Sequence, residues 1–196
     1  MSNAISMPPL RFKGERDYIQ GPDLFNSVQA AMNDLIGPDA WIERASMRDM
    51  ASGAVDLIEG DSDDSLGFFE VRSDAEPRRF SLIPAASDLE LNREPYDESL
   101  VVERGHFDSE RAFFKGKPPY SVMEVITSLA KALHNRELPI SGGKWIWVGV
   151  QLQQPMPFES ESIEVLIRRR LGSRMTLSDI IIDDQIIGTL TFAVKT

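Results

Sequence analysis

Two stretches of the chain carry apolar residues at helical spacing. Leu24, Val28, Met32 and Leu35 recur at intervals of about four, as do Val122, Ile126, Leu129 and Leu133. That period places each set on one stripe of a helix with a single buried face. Gly21-Pro22 marks the start of the first helix, with Pro near the first helical position, and Gly37-Pro38 its stop. The second helix is entered past Gly116, Pro118 and Pro119 and ends in "NRELPISGG". Elsewhere the pattern shortens. Leu10 to Ile19 mixes apolar and polar positions as a strand allows, and "AWIERASMRDM", "AVDLIEG", "LGFFEVR" and "RRFSLIPA" read as four strands separated by polar or Gly-containing breaks. "LVVERGHFDSERAFF" is again strand-like. "KWIWVGVQLQQPMP", "SIEVLIRRRLG", "RMTLSDIIID" and "QIIGTLTFAVK" complete a second set of four, the last two joined by a tight turn at Asp183-Asp184.

The second half is thus written in the order of the first. Glu15, Arg16 and Gly21 return ninety-five residues later as Glu110, Arg111 and Gly116, with Phe113 over Tyr18 and Tyr120 over Phe25. Trp41-Ile42 answers to Trp145-Ile146 at a wider offset, which places an insertion between helix and strand in the second half. Local signal and element order agree, as internal duplication requires. The expected organisation is a first repeat over 8–86, an acidic, Pro-containing linker over 87–98, and a second repeat over 99–196.

A chain of 196 residues with 42% hydrophobic content can bury a full core. The absence of cysteine excludes a disulfide framework and thiolate metal sites, and is in keeping with a cytoplasmic setting. "MSNAISMPPL" lacks the basic and apolar regions of a signal peptide, and no apolar run reaches bilayer-spanning length, so no membrane partner is expected. A net charge of -10 repels phosphate backbones and argues against nucleic acid. There is no Gly-rich phosphate loop, G-x-S-x-G or HExxH, and the two histidines stand apart from any acidic cluster, so neither a metal site nor a cofactor is expected.

One helix followed by antiparallel strands that can wrap it is the layout of the hotdog fold. "FFKGKPPYSVMEVITSLAKAL" is similar to the helix entry of beta-hydroxyacyl-carrier-protein dehydratases, roughly FFxGHFPxxPxxPGVxxxEAxAQ, through Phe113, Phe114, Gly116 and Glu124. Lys117 stands where the motif has His, and the second Pro-Gly is missing. The resemblance implies an α+β double hotdog, two repeats each with a long helix packed on a curved antiparallel sheet. It further implies action on acyl thioesters of coenzyme A or acyl carrier protein, as thioesterase or dehydratase, in fatty-acid or polyketide-type metabolism. A catalytically silent hotdog protein that binds acyl chains or scaffolds a biosynthetic complex is the competing expectation, and an unpaired outer edge leaves a homodimer open.

Dehydration needs a base for the alpha proton and an acid for the leaving hydroxyl. Glu124, one turn into the second helix, and His106, in the strand leading to it, are the candidate catalytic pair, although a solvent-facing Glu is the plainer account of the first. The position matching Glu124 in the first repeat is Gln29, as expected if only one of two equivalent sites stays active. Gly21 and Gly116 precede the helix starts, where unpaired N–H groups and the positive dipole end would face a thioester oxygen; the alternative is that they only make the turn. Asp23 complements the first helix dipole or touches substrate. Arg168 and Arg170, alternate on a strand and so expected on one surface, are candidates for a coenzyme or prosthetic-group phosphate, against a plainer role as edge-strand charges. His134 reads as a cation closing the second helix, and Glu15/Arg16 and Glu110/Arg111 as structural charge pairs.

Overall fold

The computed structural model describes residues 4–5, 7–8, 10–74, 76–85 and 92–196. It divides into two compact units, Met1–Tyr96 and Asp97–Thr196. Both are antiparallel sheet with few helices, an α+β architecture. Of the expected linker over 87–98, residues 87–91 lie outside the described residues.

In the first unit, β1 (Phe12–Lys13) leads to α1 (Gly21–Leu35) and then to β2 (Trp41–Met47), β3 (Val55–Glu59), β4 (Gly67–Arg72) and β5 (Arg78–Pro84). These four strands stand in the order β3-β5-β4-β2, all neighbours antiparallel. The strand expected over Leu10–Ile19 is only the two-residue β1, paired in parallel with β6 (Arg93–Glu94). Period two decides which side chains are buried. Phe69 and Val71 of β4, and Phe80 and Leu82 of β5, are buried with Leu24, Phe25, Val28 and Met32 of the helix. Phe68 and Glu70 alternate with them, and there Arg79 reaches Glu70 at 2.7 Å and lies 3.6 Å over the Phe68 ring.

The second unit opens with a helical turn, α2 (Ser99–Val102), where a strand was expected. "LVV" is as apolar as a strand, but Val101 is buried and α2 packs on a helix rather than joining a sheet. β7 (His106–Asp108) and β8 (Arg111–Lys115) form a hairpin, and α3 (Val122–Glu137) follows. β9 (Lys144–Leu152), β10 (Ser162–Arg170), β11 (Met175–Ile182) and β12 (Gln185–Lys195) complete it in the order β9-β12-β11-β10-β8-β7. α3 packs against β8, β9 and β10. Its Ile126, Leu129 and Leu133 are buried, as are Phe114, Ile163, Val165, Ile180, Leu190 and Phe192 of the sheet. Each such side chain contributes roughly 1.5–3 kcal/mol, more than helix propensity supplies, so packing fixes α3.

The turn at Asp183-Asp184 is present, with φ of 49° and 64°, the left-handed pair of a two-residue type I′ hairpin. Asp183 accepts a hydrogen bond from the Ser160 hydroxyl at 3.1 Å, so the strain falls on a position with no such return at Asp184. Asp184→Gly is expected to raise stability by on the order of 0.5 kcal/mol, because Gly enters this region without a Cβ penalty. A urea titration with an unchanged or lower midpoint would contradict that assignment of strain.

Candidate functional site

The candidate chemistry centres on the start of α3. Ser121 is its N-cap: its hydroxyl oxygen accepts from the Glu124 N–H at 3.3 Å, and the Glu124 carboxylate accepts from the Ser121 N–H at 3.0 Å and from the Ser121 hydroxyl at 2.6 Å. This reciprocal arrangement is a capping box, which satisfies donors that a helix start otherwise leaves bare. Glu124 is 6% exposed, so the solvent-facing alternative is overturned. The carboxylate is held against its own helix end rather than projecting from it. Its signature, S-x-x-E ahead of an apolar run, stands in the sequence at Ser121–Glu124 and is the signal that the catalytic reading passed over.

His106 does not join Glu124. In β7, Phe107 faces α3, because Arg136 of that helix stacks 3.8 Å from its ring. Alternation then turns His106 to the opposite face of the sheet, where it is exposed and stacks on Phe113 at 4.9 Å. Phe113 itself lies between Ala112 and Phe114, which are buried. One sheet therefore separates the two groups expected to exchange protons with a substrate.

Gly116 has φ of 89° and donates its N–H to the Glu161 carbonyl at 2.8 Å. The left-handed backbone requires the glycine; the nearest atom to a Cβ there is a side-chain nitrogen of Arg104 at 3.8 Å, so crowding does not. Gly21 is the first residue of α1, ahead of the buried Pro22. Asp23, in the first turn of α1, forms a largely buried ion pair with Lys13 at 2.5 Å, which ties the helix start to β1.

The arginines are engaged as well. Arg168 reaches Asp179 at 2.9 Å, and Arg170 reaches Glu110 at 3.1 Å. A bulge between Ile167 and Arg169 breaks the strict alternation on which their shared surface was predicated. Asp179 is 1% exposed, and its second carboxylate oxygen has no hydrogen-bond partner among the described residues, so Arg168 is the cation that makes its burial tolerable. Arg111 pairs with Glu164 at 3.2 Å rather than with its sequence neighbour, and Arg16 lies over the Tyr96 ring at 5.5 Å.

His134 is fully buried and tied at both nitrogens: Nδ1–H donates to the Ala130 carbonyl at 2.6 Å, and the Thr176 hydroxyl donates to Nε2 at 2.5 Å. A carbonyl can only accept, so the proton belongs on Nδ1 and the neutral ring satisfies both partners. Trp145 and Phe192 flank it at 4.7 and 5.0 Å. Desolvation pushes its pKa below the ordinary 6.5, against the opposing pull of the Ala130 carbonyl, with Arg170 adding to the lowering. The expected cation at the helix end is thus a neutral tie between α3 and β11. Thr176, its partner forty-two residues away, has no signal in the sequence. Among the described residues no group of His, Asp and Glu could hold a metal ion, and no helix is long and apolar enough to cross a membrane.

No family model matches the chain, and no curated protein matches it in sequence. Among solved structures it is similar to the dehydratase domain of PpsC from Mycobacterium tuberculosis in complex with C12:1-CoA (TM-score 0.49, 9% identity, 91% of this chain and 85% of that one). It is also similar to a bifunctional dehydratase-cyclase domain in ambruticin biosynthesis (0.48, 14%, 91% and 83%). A third is the pyran synthase domain from module nine of the sorangicin pathway (0.46, 11%, 98% and 94%). With TM-scores below 0.5, these likenesses carry neither fold nor chemistry over to this chain.

Ser121→Ala and Glu124→Ala should each lower stability by about 1 kcal/mol, whereas Glu124→Gln, which still accepts at the cap, should cost less than half of that. Equal losses for Gln and Ala in a denaturant series would rule out the cap as the main role of Glu124. The His134 contribution is present above pH 6.5 and declines below it, because the unfolded chain takes up the proton first. The urea midpoint should fall from about pH 8 to about pH 5.5, above the range in which ordinary carboxylates titrate, and the fall should shrink in His134→Gln. A flat wild-type profile would show that the buried ring does not titrate differently on folding.

Proposed function

We propose that the chain is a hotdog-like protein of two repeats, 8–86 and 99–196 joined by 87–98, that binds an acyl thioester of coenzyme A or an acyl carrier protein without turning it over. The observation that carries the second half of this reading is the fate of the two candidate catalytic groups. Glu124 closes a capping box, and His106 lies across the sheet from it. An elimination needs an acid and a base at one substrate. Support for the ligand class comes from the sequence resemblance through Phe113, Phe114, Gly116 and Glu124, and from the apolar stripe of α3 lying on antiparallel strands. Binding or scaffolding in fatty-acid or polyketide-type metabolism, in the cytoplasm and with a homodimer as one form, is the setting this reading gives it.

The test is a panel of saturated, 3-hydroxy and enoyl thioesters incubated with the protein and followed by mass spectrometry, beside direct titration of the same compounds. Saturable binding without release of acid or interconversion of the 3-hydroxy and enoyl forms is the expected result. Turnover that disappears in Glu124→Gln, a variant that keeps the cap, would overturn it and restore Glu124 as a catalytic acid. Absence of binding across the panel would remove the acyl thioester from the reading.

A further inference from the structure

α2 lies against α3, and a groove of about 270 Å³ opens between them. At the liquid share of about 30 Å³ per water, this is room for a small molecule and too little for a long chain. Val102 of α2 and Ala132 of α3 give it an apolar lining. Lys131 and Glu98 face each other there at 2.7 Å and cancel in charge. Arg136 also lines the groove, and among the described residues it makes no ion pair; its guanidinium carbon lies over the Phe107 ring, 3.8 Å from the centroid. Ring stacking leaves the N–H edge of a guanidinium available, and that edge matches two oxygens of one oxyanion. Asn135 adds an exposed amide to the same lining.

We infer that this groove binds a small monocarboxylate with a short aliphatic body, its carboxylate on Arg136 and its chain against Val102 and Ala132. Charge selects the head group. Lys131, Glu98 and Arg136 sum to a single positive charge, which one carboxylate balances and a dianionic phosphate exceeds. In a protein of net charge -10, a cation left without a carboxylate partner is also the locally favourable place for an anion. The groove is separate from the start of α3, and its assignment is independent of the thioester reading.

The experiment is calorimetric titration of the full chain with hexanoate, hexanol, hexylamine and butyl phosphate. Hexanoate should bind at one site, with affinity reduced about tenfold in Arg136→Gln, while hexanol and hexylamine bind at neither protein. Glu98→Gln, which removes the groove's negative charge, should tighten hexanoate, a change in the direction opposite to any loss of folding. Equal affinity of wild type and Arg136→Gln, binding of hexanol as strong as that of hexanoate, or no binding of hexanoate would each overturn the site. Tighter binding of butyl phosphate than of hexanoate would overturn the carboxylate assignment.

Discussion

The second unit depends on burying α3 along almost its whole length, because a helix placed against a sheet takes its polar groups out of water together with its apolar ones. The apolar stripe supplies the stabilisation, but every donor and acceptor carried inward needs a partner within the protein. The two ends of α3 meet that requirement differently. At the start, Ser121 and Glu124 satisfy each other, and toward the end His134 bridges its own helix and β11 through Ala130 and Thr176. Both solutions use side chains that are elsewhere among the commonest proton-transfer groups. Their partners here hold them in a fixed orientation, which suits packing.

The same economy governs the charged residues of the sheets. In a chain with more acids than bases, many arginines of the sheets find a carboxylate: Arg168 with Asp179, Arg170 with Glu110, Arg111 with Glu164, and Arg78 with Glu59, whose carboxyl is held below its usual range chiefly by the hydrogen bond from that arginine. Most of these pairs are exposed and worth little individually. The pair at Asp179 differs because the carboxylate is buried, and removing Arg168 would leave it uncompensated. In the triple-arginine run of β10, Arg168 and Arg170 are thus each partly neutralised by a carboxylate.

Periodic signals were legible. The stripes of α1 and α3, the four strands after each helix and the turn at Asp183-Asp184 follow from spacing, because each reflects interactions within a few residues. α2 was not legible, since four residues give no helical period and "LVV" is equally apolar in a strand. The placement of Arg168 and Arg170 failed for another reason: a bulge inserts one residue into the alternation, and nothing in "IRRRLG" marks it. His106 was lost to parity. One residue along β7 separates the face that meets α3 from the face that does not, and a strand of three residues is too short to show its alternation in the sequence. The capping box was the opposite case, a local motif fully written in the sequence at Ser121–Glu124, where Glu is a plausible residue both for a cap and for catalysis.

The difference between Gln29 and Glu124 now has a physical cause that does not require one live and one silent site. Gln29 of α1 donates from its amide nitrogen to the Ala40 carbonyl at 2.7 Å and accepts at its amide oxygen from the Ile42 N–H at 3.0 Å. It ties the helix to the entry of β2, where one free acceptor and one free donor stand side by side. An amide can serve both, whereas a carboxylate ion accepts but does not donate. Glu124 meets two donors, the N–H and the hydroxyl of Ser121, and for these a carboxylate is the stronger partner. Gln29 is the ninth residue of α1 whereas Glu124 is the third of α3, so the two stand at different places in their helices, and the start of α1, on Gly21-Pro22 with no side-chain cap, lies too far back to meet position 29. Each residue matches the polarity of the backbone groups in front of it, and that match accounts for amide in one unit and acid in the other.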